Sequence, residues 1–562
     1  MTTNKLNIQL LTHLLQLYGI KDVVSSPGSR NAPLSIGFNR NSAFNCYTIP
    51  DERSAAFFAL GIIQATDKPV VIHCTSGSAV LNYAPAIAEA YYQKLPLIII
   101  TADRPKKLIS VGDGQTIRQE NVYQNYIKNS YVLTEENEPN FSIENSQKII
   151  EKAIQNCTDK ISGPVHINIP FSEPLYELSE LDKSISTITL NKENKNTGYQ
   201  LDINLKKLFN SSKEKLVIVG QLPQNHKLDN TLKKLSTHPS ITILTESTSN
   251  VSDPNFIPCI DRTISVISDT KNFVPDLLIT LGNNIISKKI KQLFRENKPA
   301  HHWHIGHEYE PMNTFFSLTE SIEADPKEVL VELEQNAEPL ESDYNTLWKG
   351  LSLNNKEKHT DFVKKAAFSD LKAFEIVLDS IPENSVLQMG NSSVVRYIQL
   401  FDPLSNINYL SNRGVSGIDG STSTSVGFAN KTNKTVTCIT GDLSFIYDSN
   451  AFWNNYLTSN LKIIIINNGG GGIFKIIDGP NEVEELEKYF VAKQNINIQS
   501  FCKTFQLNYL FANDATSLED KLAELYHPSG ENFEPPTVLE VDTQKIDNHI
   551  ILKDYFRHLK TK

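Results

Sequence analysis

Two short motifs late in the chain carry residue types that suit a divalent cation. Gly441-Asp442-Leu443-Ser444 offers a carboxylate, and 26 residues beyond Asp442 stands Asn468, in the run Asn467-Asn468-Gly469-Gly470-Gly471-Gly472. Magnesium prefers a near-octahedral shell of oxygens and, when it also holds a diphosphate, takes few of them from protein. One carboxylate, one amide oxygen and one backbone carbonyl meet that demand, and glycines let the main chain approach closely. Either motif alone reads as an ordinary strand-end turn closed by Asx hydrogen bonds; together, at this spacing, they favour the metal. No Gly-Lys-Ser/Thr follows the glycines, which excludes a P-loop.

Such groups meet only if neighbouring strands bring them to one edge of a sheet. Apolar runs with strand character recur at Val23-Val24, Val70–Cys74, Leu97–Ile100, Leu216–Val219, Ile241–Leu244, Leu277–Thr280, Val386-Leu387, Val436–Ile439, Ile463–Ile466 and Val538–Val541. Helical patterns separate them, the first marked by Ile8, Leu11, Leu14 and Leu15. This alternation predicts an α/β protein of three consecutive α/β domains with mainly parallel sheets. The length of 562 residues fits that count at about 150 residues per domain. Polar passages near Tyr176–Gln200 and Glu334–Thr360 read as linkers and place the domains at 1–180, 200–335 and 360–562. Ligands of such sheets gather at the carboxyl ends of strands, where Ser25–Arg30, Asp51–Ser54, Thr75–Ser78 and Thr101–Pro105 fall.

A Gly-Asp motif followed at this distance by Asn-Asn resembles the diphosphate and metal signature of thiamine-diphosphate enzymes. The resemblance gives Glu52, between a predicted strand and a helix, the part of the carboxylate that hydrogen-bonds the cofactor's aminopyrimidine ring. A carboxyl group sharing a proton with that ring favours the imino tautomer that activates the cofactor. Taken alone, a glutamate in the first helical turn simply complements the helix dipole.

Denser matches narrow the resemblance. Ser26–Leu34, Thr75–Ala79, Thr101–Pro105, Gln115–Gln119, Gly390–Ser393, Ser411–Gly420 and Gly472–Phe474 resemble the 2-succinyl-5-enolpyruvyl-6-hydroxy-3-cyclohexene-1-carboxylate synthase family of menaquinone biosynthesis, densely in the first and third domains and thinly in the middle one. The resemblance implies thiamine diphosphate with Mg²⁺ or Mn²⁺, and 2-oxoglutarate and isochorismate as substrates. It implies a pyrimidine-binding first domain, a diphosphate-binding third domain, and an active site between subunits of a homodimer or homotetramer. The metal ligands would be Asp442, Asn468 and the carbonyl of Gly470. The cofactor would also meet Asn391, Gly417, Leu443, Ser444, Ile473 and Phe474, with Ile418 as the apolar wedge that bends it. Ser29, Arg30, Gln115, Ser392, Arg396 and Arg413 would hold substrate oxygens, joined by Arg104, Arg118, Lys288 and Lys289. A guanidinium fork pairs bidentately with a carboxylate, although a solvated surface pair is the commoner fate of arginine. Leu443 departs from the superfamily's Gly-Asp-Gly but fits this family, and Gly469 and Gly472 replace bulkier polar residues.

Composition narrows the field from the other side. The formal charge of −10 argues against a general nucleic-acid binder or a polybasic membrane protein, so anionic substrates require a local basic pocket. Six scattered cysteines without a CxxC pair read as reduced thiols in a cytoplasmic setting, and no apolar run approaches bilayer length. His301, His302, His304 and His307 lack a cysteine partner and read as strand packing and surface rather than zinc ligands. Two rivals stay open: an acetohydroxyacid synthase or other 2-oxoacid decarboxylase of the same cofactor class, and a catalytically silent regulatory protein of the same fold.

Overall fold

The computed structural model describes residues 1–189, 199–223, 227–477, 479–493, 495–527 and 535–561. Three parallel sheets organise the chain. In spatial order the first is Asn45–Thr48, Asp22–Ser25, Val70–Cys74, Leu97–Asp103, Val165–Pro170 and Asn129–Val132. The central sheet runs Ile241–Thr245, Lys215–Val219, Leu277–Leu281, His301–Ile305 and Glu320–Ile322. The third runs Asn408–Leu410, Val386–Met389, Val436–Gly441, Leu461–Asn467, Thr537–Asp542 and Asn508–Ala512. Strands such as Leu97–Asp103 are buried from end to end, as unbroken Val/Ile/Leu runs must be when helices cover both faces of a sheet. The expected fold class, α/β with mainly parallel sheets, holds.

The first and third sheets have the same topology. Numbered along the chain within each unit, the strands lie in the order second, first, third, fourth, sixth, fifth in both. The helix after the second strand is Glu52–Thr66 in one unit and Ser421–Ala429 in the other, and these two cross. Gly61 and Gly427 permit the crossing: a Cβ on Gly61 would stand 2.0 Å from the carbonyl oxygen of Thr424, and one on Gly427 would stand 2.0 Å from that of Phe58. One hydrophobic core runs through the contact, joining Phe57, Phe58, Ile62 and Val80 to Val426, Phe428, Phe445 and Phe452. The strand-end edges of the two units are therefore held in a fixed relation.

Two passages read as linkers carry structure. Tyr344–Lys365 is a long helix whose Tyr344, Trp348, Asn355, His359 and Val363 are buried. They recur at helical spacing, but two of the five, Asn355 and His359, are polar, so apolar periodicity alone misses the helix. In the other passage Leu178–Ser179 pairs antiparallel with Thr2–Thr3, and Lys183–Ser186 forms a helical turn with Ile185 buried; residues 190–198 of that passage lie outside the described residues. Among the described residues no helix is long and apolar enough to cross a membrane.

Candidate active site

Asp442 opens the Asp442–Tyr447 helix directly after strand Val436–Gly441, and Asn468 follows the neighbouring strand Leu461–Asn467. The two strands pair in parallel, with Gly441 opposite Ile466, so their ends share one edge. Burial pushes the Asp442 carboxyl up to about 7; backbone N–H groups, including that of Gly470, pull the other way, and nearby Asp370 adds to the rise. Asp370 is buried and itself raised to about 6 by desolvation. It accepts from Thr543 Oγ1 at 2.6 Å and from Asn468 Nδ2 at 2.8 Å. That bond fixes the amide of Asn468, committing its nitrogen to Asp370 and leaving Oδ1 as the oxygen on offer. Gly470 sits at φ +129°, where a side chain would collide with the Val491 carbonyl at 2.4 Å. A carboxylate destabilised by burial beside an oriented amide oxygen and a close main chain is a donor set that fits a hard divalent cation.

The loop Ser411–Gly420 supplies the next groups. Arg413 is buried and donates from Nη1 to Asn391 Oδ1 at 2.9 Å, while Asn391 Nδ2 donates to the carbonyls of Asn412 and Gly417 at 2.7 Å. Ser444 Oγ donates to the Ile418 carbonyl at 2.7 Å, tying the expected wedge to the helix that begins with Asp442. All three units hold this loop. From the first, buried Glu89 accepts the N–H groups of Gly414 and Val415, each at 2.7 Å. From the central one, Asn284 Nδ2 donates to the Arg413 and Gly414 carbonyls, and Gln221 Nε2 to that of Ser411. Buried Glu246 accepts from the N–H groups of Ile286 and Ser287 at 2.7 Å, fixing the start of the Lys288–Glu296 helix. Burial raises Glu246 to about 7, and the field of Arg413 counters it. Glu89, Glu246 and Asp370 escape sequence reading because an isolated acid in a helix or loop carries no local signal of burial.

A second group assembles on the first sheet. Glu52 is the first residue of its helix, and Asn82 Nδ2 lies 3.4 Å from its Oε2. Arg30 is buried, donates to the Phe171 carbonyl at 2.9 Å and pairs with Glu173 at 3.2 Å; burial and neighbouring Arg104 pull its pKa down. Arg104 lies 3.9 Å from Asp113. Gln115, at φ +58°, accepts from Ser76 Oγ at its carbonyl and lies against Gly77. Ser29 and Arg118 are exposed, and among the described residues Arg118 makes no side-chain hydrogen bond or ion pair.

Among the described residues a small cavity of about 140 Å³ holds Asp370, Asn468 and Gly472, and two larger ones also open on the third unit. One, of about 680 Å³, is lined by Ile418, Asp442, Leu443, Tyr447, Asn467 and Tyr509 among others, all from the third unit. The other, of about 720 Å³, holds Lys288, Lys289, Ser393, Arg396 and Ile473. Ser392, at φ +69°, caps the helix that carries Arg396, and Phe474 stacks at a tilt on Phe490. Glu52, Ser29, Arg30, Arg104, Gln115 and Arg118 line neither of the two larger cavities. Within one chain the expected residues thus form two sets rather than one, and the second is itself divided, with Asp442, Asn468 and Arg396 lining separate cavities. Two of the histidines serve packing: Thr280 Oγ1 bridges His302 and His304 at 3.1 and 2.9 Å inside the central sheet.

Fold and site together define a thiamine-diphosphate-type enzyme, and two family matches agree. Residues 8–129 match the thiamine pyrophosphate enzyme N-terminal TPP binding domain, and residues 388–541 the C-terminal TPP binding domain. Curated relatives then fix the branch. A protein of Flavobacterium johnsoniae is 44% identical, with 98% of each chain covered. One of Porphyromonas gingivalis is 36% identical, over 99% of this chain and 98% of its own, and one of Bacteroides thetaiotaomicron is 34% identical over 100% of both. Each carries the name 2-succinyl-5-enolpyruvyl-6-hydroxy-3-cyclohexene-1-carboxylate synthase, and the chain belongs to that family.

Proposed function

We propose that the chain is a thiamine-diphosphate-dependent carboligase that decarboxylates 2-oxoglutarate and adds the remaining succinyl unit to isochorismate, giving 2-succinyl-5-enolpyruvyl-6-hydroxy-3-cyclohexene-1-carboxylate and CO₂ in menaquinone biosynthesis. The observation that carries this reading is the presence of both half-sites, Glu52 on one sheet and Asp442 with Asn468 on the other, in a chain matched end to end by synthases of that name.

Bound thiamine diphosphate supplies the nucleophilic carbon and accepts the electron pair released with CO₂. Asp442, Asn468 Oδ1 and the Gly470 carbonyl would hold Mg²⁺ or Mn²⁺, and Asp370 fixes the Asn468 amide through its nitrogen. Leu443, Ser444, Asn391, Gly417, Ile473 and Phe474 would line the cofactor's bed, with Ile418 on the loop that Glu89 holds. Glu52 would share a proton with the aminopyrimidine ring of the bound cofactor. Arg396, Arg413, Ser392, Lys288 and Lys289 on one side, with Ser29, Arg30, Arg104, Gln115 and Arg118 on the other, orient the carboxylates of the two substrates.

The two sets belong to one site if the first unit of one subunit faces the third unit of another. The lining of the Asp442 cavity by third-unit residues alone supports a homodimer or homotetramer. The domains take the corresponding roles: 1–180 binds the pyrimidine, 360–562 binds diphosphate and metal, and 200–335 buttresses the Arg413 loop. A cytoplasmic location suits the free thiols and soluble substrates.

Incubation with 2-oxoglutarate and isochorismate, beside pyruvate alone, tests the activity by product mass. The succinylated cyclohexene product is expected only from the first mixture. Acetolactate from pyruvate, with no product from the first mixture, would move the chain to the acetohydroxyacid synthases.

A further inference from the structure

The 720 Å³ cavity has one wall that the functional motifs do not explain. Lys288, Lys289 and Arg396 enter it from the central and third units, and opposite them stand Leu552, Lys553, Phe556, Arg557 and Lys560 from the C-terminal helix Asn548–Leu559 and its cap. Five of the cations in the lining face a single lining carboxylate, Asp261; a sixth, Arg557, is spent on Asp554 at 2.6 Å. Among the described residues neither Lys289 nor Arg396 makes a hydrogen bond or ion pair, although both are half-buried. Lys289 Nζ instead lies 3.6 Å above the ring of Phe556. Burial pulls the Lys289 pKa down, Asp261 opposes that and Lys560 adds to it, so the cations crowded here outnumber the one lining carboxylate. Beside the polar Gln292, Ser393 and Tyr397, the lining has an apolar wall of Leu400, Ile473, Ile476, Ile477 and Leu552. A cationic rim around an apolar wall is complementary to a carbon ring bearing two carboxylates.

We propose that the C-terminal helix forms part of the acceptor site, with Lys553 and Lys560 binding one carboxylate of a cyclic dicarboxylic acid and Phe556 holding Lys289 in place for it. The assignment deepens the carboligase reading and rests on it for the identity of the acceptor. Lys553 and Lys560 determine affinity for the ring substrate, and Phe556 is a positioning residue acting through Lys289. The linear donor gains nothing from this wall.

The double variant Lys553→Gln/Lys560→Gln tests it, since both side chains are exposed and the change removes charge with little change of shape. The KM for isochorismate should rise by about tenfold, as expected for losing two partly solvated charge contacts, with the KM for 2-oxoglutarate within about twofold of the parent. Phe556→Leu should raise the same KM, and Phe556→Tyr should restore it. An unchanged acceptor KM, or equal rises in both KM values, overturns the proposal. A second measurement does not depend on turnover: calorimetric binding of isophthalate, an inert cyclic dicarboxylate, to the thiamine-diphosphate-loaded protein. Its affinity should fall about tenfold in the double variant, and equal affinity for both proteins overturns the assignment even if the parent fails to join 2-oxoglutarate to isochorismate.

Discussion

The first and third sheets of this chain share one strand order and differ in what stands at their strand ends. After the second strand, one unit places Glu52 and its helix, while the other inserts the Arg413 and Ile418 loop before the equivalent helix. After the third, one has Thr75-Ser76-Gly77 where the other has Gly441-Asp442; after the fourth, Asp103-Arg104 stands where the other has Asn467-Asn468. The frame is common and the chemistry lies in a few strand-end residues, as expected where sites are grafted on folds rather than dictated by them. On the proposed reading, one edge collects an acid and cations for a ring and carboxylates, and its counterpart collects oxygens for a metal and a diphosphate.

The sharpest way to break this division of labour is to remove one acid from each edge. Asp442→Ala should lose metal-dependent cofactor binding: a charged metal ligand contributes several kcal/mol, which corresponds to about three orders of magnitude in affinity. Glu52→Gln should keep that binding but lower kcat by about two to four orders of magnitude, the usual worth of a positioned proton donor or acceptor. Calorimetry with thiamine diphosphate and Mg²⁺, paired with turnover assays, reads both. If both variants lose binding alike, the two edges do not divide the cofactor between them.

A smaller effect concerns the contact between the halves. Gly427→Ala gains helix propensity but forces its methyl to 2.0 Å from the Phe58 carbonyl. The overpacking should dominate, with a net loss of about 2 kcal/mol and a lower thermal midpoint. An unchanged midpoint would mean that the two helices can separate at no cost.

An effect of similar size, visible only as a pH dependence, concerns Asp448 of the third unit. Buried Asp448 accepts from Ser423 N and Oγ at 2.7 Å, yet desolvation raises it to about 7. Because the folded pKa exceeds the ordinary 3.8, the unfolded chain loses this proton first. The stability linked to it is present in full below about pH 4 and is lost as pH rises through 7. From pH 5 to pH 8, urea titrations of Asp448→Asn against the parent should shift in the variant's favour by about 2 kcal/mol. A difference that stays constant with pH would contradict this.

Much of the frame was legible because buried parallel strands are unbroken apolar runs: Leu97–Asp103, Val436–Gly441 and Leu461–Asn467 lie where the sequence announces them, with Asp442 and Asn468 just beyond. The helix Tyr344–Lys365 was not, since Asn355 and His359 occupy its buried stripe and hide the apolar period. Glu89 and Asp370 were illegible for a different reason. Their roles come from partners 325 and 98 residues away, and no local pattern encodes a contact at that range.

The reciprocal crossing at Gly61 and Gly427 bears on how the molecule can breathe. Two backbones in direct touch leave no deformable cushion of side chains between them, so the outer units of one subunit travel as a single block. Admission of substrates must then fall to peripheral segments around that block, with the coenzyme's bed staying rigid throughout turnover.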